Sequence, residues 1–262
     1  MDNIWFYFAG IPVYVYGVMV SCGVFFGTII TLREGRRHNI RWQTMFDFII
    51  GTGFTFFLAG RLGVLWAEYG FGSLLRPWLI FTEINQGIHA EVGFIFAVIF
   101  GLLYTLGHQI FGLDFLDAIT PGVLVIKVFS ALGSNVFGYT TNMPWAVSFG
   151  ELAVHPLPLY FALGYYLIFF ILWRIRRNLR FDGQVALGAL ALVAWLRSSL
   201  SLFADINSPW ILAIIASLAW GYLFVNSPPP RRDRANMLLS VSQTIVFLVV
   251  VLTIIIFFYS RF

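Results

Sequence analysis

The sequence predicts an all-α fold, a polytopic transmembrane bundle of about eight helices with an interfacial segment on the outer side. Hydrophobic residues make up 60% of the 262-residue chain and charged residues only 11%, whereas about a quarter of the residues in a soluble domain are charged. Apolar stretches of about 20 residues recur, the length that crosses a hydrocarbon core of about 30 Å. Short loops rich in arginine separate several of these stretches. We therefore expect an integral membrane protein.

Eight apolar spans follow from this pattern, with boundaries good to about three residues. They cover residues 10–32, 44–66, 87–106, 116–137, 155–173, 184–204, 209–225 and 237–259. Spans two and three carry small residues at intervals of four, Ala59 with Gly63 and Gly93 with Ala97 and Gly101. Such spacing lets helix backbones approach closely inside a membrane. We expect spans two to six to form the packed body and span eight to be a lipid-facing anchor.

Three arginine clusters predict the orientation of the chain. They follow the first, fifth and seventh spans and consist of Arg33, Arg36, Arg37 and Arg41, of Arg174, Arg176, Arg177 and Arg180, and of Arg231, Arg232 and Arg234. Because basic loops stay on the cytoplasmic side, both termini are expected on the outer side. Residues 67–86 would then lie along the outer interface as an amphipathic segment. The amino terminus has no positively charged region, so we expect no cleaved signal peptide.

The chain divides into three predicted regions. Residues 1–226 form a seven-span body, residues 227–236 a cytoplasmic linker of proline and arginine, and residues 237–262 an additional anchor. The net charge of +4 does not indicate nucleic-acid binding, because the arginines lie in short loops and not on a polar domain. The single cysteine, Cys22, excludes an intrachain disulfide.

Few ionisable residues lie within the spans or at their outer ends: Arg61, His89, Glu91, Lys127, His155 and Arg197. A lysine in hydrocarbon costs roughly 2.5–3.5 kcal/mol, so Lys127 is a candidate functional residue. With the predicted orientation, all six lie in the outer half of the bilayer or at its rim. Arginine and lysine together suit a phosphodiester headgroup, because arginine donates hydrogen bonds in pairs and lysine supplies a point charge. A neutral histidine beside them could take a proton from a nucleophile.

Structural roles compete with this interpretation at each position. Arg61 could extend to the interface, and His89 could be a hydrogen-bonded residue at a helix end. Lys127 and Glu91 could form a structural ion pair. For His155, which precedes a proline, an ordinary helix start is favoured. Arg197 is the hardest to explain structurally, because its serine neighbours form a polar stripe that faces a cavity or a partner helix.

Several segments contain motifs of one known family. They are VYVYGVMV around Tyr16, Asp47 followed by GTGFTFFLAGRLGVLW with Arg61, Gly87-Ile88-His89, Asp117 with Pro121, Gly138, Thr141-x-x-Pro144-Trp145, His155-Pro156-x-x-Leu159-Tyr160, and Arg197. With these motifs the chain resembles bacterial prolipoprotein diacylglyceryl transferase over residues from about 12 to 225. The resemblance implies a multi-pass protein of the bacterial cytoplasmic (inner) membrane.

The chain departs from the family pattern at several positions. Lys127 stands where the family has an arginine, and Ser130 where it has an asparagine. Val154 and Pro158 replace an arginine and a glutamine, and Ser201 and Val193 replace a glutamate and a tyrosine. An eighth span is a further departure, since the family usually has seven. An arginine-to-lysine change loses bidentate phosphate binding.

The resemblance implies a reaction between phosphatidylglycerol and a lipobox cysteine in a prolipoprotein. The thiol attacks a glyceryl carbon and glycerol phosphate leaves, and no metal or organic cofactor is implied. The catalytic residues are then expected to be His89, Lys127 and Arg197. The substrate-binding residues are expected to be Tyr16, Arg61, Glu91, Ser130, Gly138, His155 and Tyr160.

Three interpretations of function remain open. The first is a divergent but working diacylglyceryl transferase. The second is a catalytically degenerate relative, a pseudoenzyme that serves as a structural or lipid-binding subunit among partner subunits of a membrane complex. The third is a small-solute transporter, against which the lack of paired, broken helices argues.

Overall fold

A computed structural model describes residues 4–8, 11–70, 78–79, 88–108, 110, 112–149, 152–229 and 237–261. Within these ranges the chain forms eight α-helices and two antiparallel β-hairpins. In chain order the elements are β1 Ile4–Phe8, β2 Ile11–Tyr14, α1 Val15–Arg37, α2 Trp42–Tyr69, α3 Ala90–Gly107, α4 Leu113–Gly133, β3 Val147–Phe149, β4 Leu152–Val154, α5 Leu157–Ile175, α6 Gln184–Leu200, α7 Trp210–Asn226 and α8 Met237–Tyr259.

The helices have the length and composition of membrane spans. Six of those described, α1 to α5 and α8, are long and apolar enough to cross a membrane. The other two, α6 and α7, are apolar helices of 17 residues each, about 26 Å long at 1.5 Å per residue. This is close to the thickness of a hydrocarbon core, about 30 Å. The predicted polytopic helical membrane fold is confirmed.

The first span begins later than predicted. Residue 10 was the expected start, but α1 begins at Val15 because residues 11–14 are extended and pair with β1. Pro12 has no backbone N–H to donate, and it restricts Ile11 to an extended conformation. A hydropathy pattern does not register this change, because the hairpin is as apolar as the helix.

Two helices end before their apolar stretches do. The fourth span was predicted to reach residue 137 and the sixth residue 204, whereas α4 ends at Gly133 and α6 at Leu200. Residues 134–137 and 201–204, which follow these helices, mix serine or asparagine with apolar residues, so hydropathy does not mark the ends sharply. Glycine is a frequent residue at helix ends because it adopts conformations that other residues resist.

The helices divide into two compact units. The first unit contains Met1–Glu34 and Leu116–Phe262, and the second contains Gly35–Phe115. Spans two and three thus fall in one unit and spans four to six in the other, and the prediction that spans two to six form one packed body stays a prediction. The first unit contains most of α1 together with the five helices from α4 through α8. The second unit contains α2 and α3.

Small residues bring α2 and α3 together in the second unit, as predicted. Ala59 and Ala97 are both 7% exposed. A Cβ atom added at Gly93 would lie 2.6 Å from the carbonyl oxygen of Phe56, which is too close for any side chain. The backbone of α2 approaches α3 this closely because Gly93 has no side chain.

The first unit uses the same device between α1 and α4. A Cβ atom at Gly27 would lie 2.8 Å from the carbonyl oxygen of Gly122, and one at Gly122 would lie 2.5 Å from that of Gly27. One turn earlier in α1, a Cβ atom at Gly23 would lie 2.9 Å from the Cβ atom of Phe129. Gly23 and Gly27 have the four-residue interval noted in spans two and three, so α1 is also a packed helix.

The last helix packs on the core along one face, which corrects the prediction of a purely lipid-facing anchor. Ile254 and Phe258 are 5% and 0% exposed and belong to a core cluster with residues of α4 and α5. Phe247 stacks on Tyr166 of α5 with ring centroids 5.3 Å apart. The opposite face, which includes Val249, is exposed. The sequence did not separate the two faces, because lipid-facing and protein-facing residues are both apolar in a membrane.

Two predicted segments lie mostly outside the described residues. The interfacial segment 67–86 is described only in the last turn of α2, at Gly70 and at residues 78–79, and the linker 227–236 only through residue 229. The third arginine cluster also lies outside the described residues.

Candidate functional site

Most of the predicted site residues of the first unit lie at one of its ends. At this end α1 begins, α4 ends, α5 begins, α6 ends, and the hairpin of β3 and β4 lies between α4 and α5. A Cβ atom at Gly133 would lie 2.9 Å from Cα of Tyr16, which joins the end of α4 to the start of α1. Leu157 and Leu200 pack together with Ala204, which joins the start of α5 to the end of α6. We call this the hairpin end.

Lys127 of α4 and Arg197 of α6 form a pair of like charges at the hairpin end. Both side chains are exposed on the protein surface. They are close enough for their positive charges to repel each other. Neither side chain forms a hydrogen bond or an ion pair with a described residue of the first unit. Tyr165, which is 7% exposed, lies close enough to Arg197 to interact with its charge. Two cations without a counter-ion within their unit produce a positive potential that attracts an anion.

The serines beside Arg197 are less available for binding a ligand than the sequence predicts. Ser199 donates a hydrogen bond to the carbonyl of Trp195 at 2.9 Å, and Ser201 donates to that of Ser198 at 2.7 Å. Both hydroxyls therefore bond to the backbone of their own helix segment, as serines in helices often do. The Ser198 hydroxyl oxygen is buried and has no hydrogen-bond partner among the described residues.

Tyr16 and Ser130 lie together near the cation pair. The Tyr16 hydroxyl is 3.5 Å from Oγ of Ser130, and Ser130 lies three residues beyond Lys127 in α4. A one-turn separation on a helix puts Ser130 and Lys127 on the same face. These two polar residues of α4 therefore face the same side as the start of α1.

A hydrogen-bonded network organises the loop between α4 and α5. The indole Nε1 of Trp145 donates to the Tyr160 hydroxyl at 2.7 Å, and that hydroxyl lies 3.3 Å from Nδ1 of His155. The imidazole also packs on Phe203, with ring centroids 4.9 Å apart. His155 therefore has a defined orientation, in addition to preceding the Pro156 cap of α5.

Gly138 lets two chain segments cross at this network. Its N–H donates to the carbonyl of His155 at 3.0 Å, and the N–H of Tyr139 donates to that of Phe203 at 2.8 Å. A Cβ atom at Gly138 would lie 2.4 Å from the Phe203 carbonyl oxygen and 2.9 Å from Cβ of His155. Any side chain at this position would separate the strands and move His155.

The second unit holds the other three predicted residues on adjacent helices. Arg61 of α2 is 3% exposed and has an interaction partner, so it does not extend to the surface as a snorkelling arginine would. His89 caps α3, and its backbone N–H donates to the carbonyl of Gly60 at 3.0 Å. Glu91 lies in the first turn of α3 and is exposed. The backbone of Gly60, next to Arg61, is therefore in contact with His89. A Lys127–Glu91 ion pair remains a prediction.

Arg176, at the opposite end of the first unit, is a paired cation. We call this the arginine end, which contains Glu34 of α1 and the end of α5. The Arg176 guanidinium donates to the Glu34 carboxylate, the two residues being 8% and 3% exposed, and it lies 3.2 Å from the ring centre of Trp173. Burial, together with the charges of Arg33 and Arg177, lowers the pKa of Arg176 to about 10, so it remains protonated at neutral pH.

Asp117 stabilises the start of α6 from another helix. Its two carboxylate oxygens accept hydrogen bonds from the backbone N–H groups of Gly183 at 2.9 Å and Ala186 at 2.8 Å. A carboxylate at a helix amino terminus satisfies free N–H groups and the helix dipole. Asp117 therefore has a structural role, which the family resemblance of its motif does not predict.

Sequence reasoning missed two residues near the hairpin end. Tyr165 lies near Arg197, and the Tyr259 hydroxyl of α8 donates to the carbonyl of Trp145 at 2.8 Å. Both tyrosines lie in long aromatic stretches, and nothing in the sequence separates them from ordinary packing residues. The sequence offers only a weak signal for Tyr165: it lies two turns after Pro158, so its hydroxyl is a polar group well inside a helix.

Comparison with known proteins identifies relatives along nearly the whole chain. A family model described as prolipoprotein diacylglyceryl transferase matches residues 3–259, a range that contains all eight helices. The phosphatidylglycerol–prolipoprotein diacylglyceryl transferase of Clostridioides difficile (strain 630) is 26% identical over 192 residues, which are 71% of this chain and 76% of that protein. The protein of the same name from Vibrio vulnificus (strain YJ016) is 29% identical over 251 residues, 85% of this chain and 92% of that protein. That of Pasteurella multocida (strain Pm70) is 30% identical over 175 residues, 62% of this chain and 64% of that protein.

Proposed function

The chain belongs to the prolipoprotein diacylglyceryl transferase family, and from this membership we propose that it transfers a diacylglyceryl group from phosphatidylglycerol to the lipobox cysteine of a prolipoprotein. The observation that carries the proposal is the exposed pair of Lys127 and Arg197 at the hairpin end. Cations without a counter-ion in their own unit are expensive within a membrane. Their retention is explained if a substrate anion supplies the missing charge.

The phosphate of phosphatidylglycerol matches this pair chemically. Arg197 donates two hydrogen bonds to the phosphate, and Lys127 supplies a second positive charge. Tyr16 and Ser130 bind the glycerol headgroup with their hydroxyls. The contacts that support these roles are the Tyr16–Ser130 distance of 3.5 Å and the position of Ser130 one turn from Lys127.

The reaction makes one bond and breaks one. The cysteine sulfur forms a bond to a glyceryl carbon, the bond from that carbon to the phosphate oxygen breaks, and glycerol phosphate leaves with the electron pair. The thiol proton passes to a base, for which we propose His89, because the thiolate is the nucleophile. Lys127 and Arg197 stabilise the charge that develops on the leaving phosphate, the effect of an oxyanion hole.

The remaining predicted residues bind substrate in this proposal. Gly138 and His155 belong to the loop between α4 and α5, and Tyr160 lies in the first turn of α5. Arg61 and Glu91, which lie in the second unit, stay predicted substrate-binding residues. The orientation of the network by Trp145 supports the role of the loop residues. The burial of Arg61 supports a role other than contact with the membrane surface.

The membrane and its orientation are also part of the proposal. We place this multi-pass protein in the bacterial cytoplasmic (inner) membrane, with both termini on the outer side. The arginine end would then face the cytoplasm and the hairpin end the outer leaflet. The charged residues at the two ends support this orientation, because Arg33, Arg36 and Arg37 lie at or near the end of α1.

A transfer assay tests the function. Purified protein is incubated with phosphatidylglycerol carrying labelled acyl chains and a lipobox peptide, and label on the peptide is measured. We expect transfer by the wild type and a loss of at least about 100-fold in Arg197→Ala, as when one donor to a developing oxyanion is removed. Arg177→Ala is the matched control, since it removes an exposed arginine at the arginine end. Equal activity of the two variants would contradict the role of Arg197.

The substitutions at family positions favour a second candidate, a catalytically degenerate subunit of a membrane complex. Val154 and Pro158 lack the polar groups of the family pattern, and Ser201 lacks its carboxylate. The exposed face of α8 offers a surface for a partner subunit. Folded protein that shows no transfer, and that co-purifies with other chains in mild detergent, would favour this candidate over the transferase.

A further inference from the structure

The carboxyl end of α8 is bonded to the loop that orients His155. The Tyr259 hydroxyl donates to the carbonyl of Trp145 at 2.8 Å, across 114 residues of sequence. The indole of the same Trp145 donates to the Tyr160 hydroxyl at 2.7 Å, and that hydroxyl lies 3.3 Å from His155. Trp145 thus connects two hydrogen bonds, one from Tyr259 of α8 and one to Tyr160, and the Tyr160 hydroxyl contacts the His155 imidazole.

Several other contacts hold this end of α8 in a defined position. Arg261 donates to the carbonyl of Leu132 and, at 3.3 Å, to Oδ1 of Asn135, just beyond the end of α4. Ile254 and Phe258 are buried in the core with residues of α4 and α5. These contacts fix the position of this end of α8, so a hydrogen bond from it can restrict the Trp145 loop.

The hydrogen bond from Tyr259 restrains the part of the loop that precedes the hairpin. The hairpin of β3 and β4 pairs only three residues per strand, and an isolated two-stranded hairpin is marginally stable. Beyond it, the N–H of Thr141 donates to the carbonyl of Ala153 at 2.8 Å, and that of His155 donates to the carbonyl of Tyr139 at 3.1 Å. Val147, two residues beyond Trp145, is 3% exposed and anchors the start of β3 in the core. Trp145 itself is held by its hydrogen bonds to Tyr160 and Tyr259.

We propose that Tyr259 is a positioning residue for phosphatidylglycerol binding, acting through Trp145 and Tyr160 on His155. The last helix is then part of the substrate-holding apparatus as well as a membrane span. This inference rests on the proposed function in two respects, the identity of the lipid and the role of His155 in binding it. Tyr259 does not touch the substrate, and its effect is transmitted by the position of the loop.

The test uses Tyr259→Phe in the full-length protein, which keeps the ring and removes only the hydroxyl. Thr244→Val is the matched control, because Thr244 accepts a 2.7 Å hydrogen bond from Arg174 that joins α8 to α5 at the arginine end. Hydrogen–deuterium exchange is measured for the segments 138–141 and 152–155. We expect faster exchange there in Tyr259→Phe and wild-type exchange in Thr244→Val.

Kinetics separate positioning from a merely structural role. We expect the KM for phosphatidylglycerol to rise about fivefold in Tyr259→Phe, the scale of one hydrogen bond, with kcat within about twofold of the wild type. Thr244→Val should change neither constant. Unchanged exchange in the loop, or faster exchange with an unchanged KM, would overturn the inference.

The two proposals fail in distinguishable ways. If the wild type transfers no diacylglycerol to the peptide, the proposed activity is wrong, and affinity for phosphatidylglycerol in nanodiscs replaces KM as the readout. A fivefold weaker affinity in Tyr259→Phe would then still support the positioning role. An affinity equal to that of the wild type, or no binding of phosphatidylglycerol by the wild type, would overturn it.

Discussion

At the arginine end of the first unit, Arg176 is buried between Glu34 and the ring of Trp173, whereas at the hairpin end Lys127 and Arg197 are exposed and repel each other. Both ends contain cations next to a membrane-spanning core. At the arginine end the protein supplies an anion and an aromatic face, and the ion pair joins α1 to α5. At the hairpin end no described residue of the first unit forms an ion pair or a cation–π contact with Lys127 or Arg197.

This difference separates structural from functional charge. A buried cation with its own carboxylate needs nothing from outside, so its loss affects folding. A cation without such a partner keeps its binding capacity for a ligand, so its loss affects binding or catalysis. The following substitutions test whether the two ends differ in this way.

The largest expected effect is on stability, at the arginine end. Replacing Glu34 by Gln leaves the Arg176 charge buried without its carboxylate, which costs about 3–5 kcal/mol in known buried pairs. Thermal unfolding in detergent should show a lower midpoint. The double variant Glu34→Leu/Arg176→Met should recover most of the loss, because it removes both charges. A wild-type midpoint in Glu34→Gln would show that the pair is not structural.

The next largest effect is on activity, at the hairpin end. Arg197→Ala should lower transfer by about 100-fold or more, equivalent to roughly 2.7 kcal/mol, and leave the unfolding midpoint near that of the wild type. Its exposure and lack of partners in the first unit are the reasons. A large drop in the midpoint would mean that Arg197 is structural, and the contrast between the two ends would fail.

A smaller effect is expected where a carboxylate caps a helix. Asp117→Asn keeps the size of the side chain but weakens two charge-assisted hydrogen bonds to the start of α6. We expect a loss of about 2 kcal/mol in the free energy of unfolding, since bonds to charged groups contribute about 1.5–3 kcal/mol each. The variant should bind phosphatidylglycerol like the wild type once folded. Weaker binding would place Asp117 in the functional site instead.

The smallest effect concerns the lysine that stands at a family arginine position. Lys127→Arg restores a bidentate donor and should raise affinity for phosphatidylglycerol about threefold to tenfold, the gain of one hydrogen bond. Lys127→Met, which removes the charge and keeps the length, should lower the affinity. Equal affinities in the wild type and both variants would exclude Lys127 from the phosphate site.

Much of the fold was predictable because membranes impose strict rules on sequence. A span must be apolar over about 20 residues, and small residues at four-residue intervals indicate helix contact, as Ala59 and Gly93 illustrate. The second strand of the first hairpin, Ile11–Tyr14, was not predictable from hydropathy, because strand and helix are equally apolar there. The inner face of α8 was hidden for the same reason.

The candidate site was predicted only in part. Arg197 and Lys127 were visible because a charge within an apolar span is rare, and His155 with Tyr160 followed from the family resemblance. Their relation to Trp145 and Tyr259 was not visible, since a hydroxyl group at a helix end has many partners within reach. Glu34 and Arg176 gave no signal as a pair, because 142 residues separate them.

By itself, the sequence determined the class of protein, the number of spans and the residues whose charge is out of place in a membrane. These properties depend on transfer of each residue between water and lipid, which is local and needs no knowledge of neighbours. Only the tertiary structure decided which charges are neutralised, which face of α8 meets the core, and how the loop around Trp145 is held. Those properties depend on which helices meet, and residues distant in sequence determine them jointly.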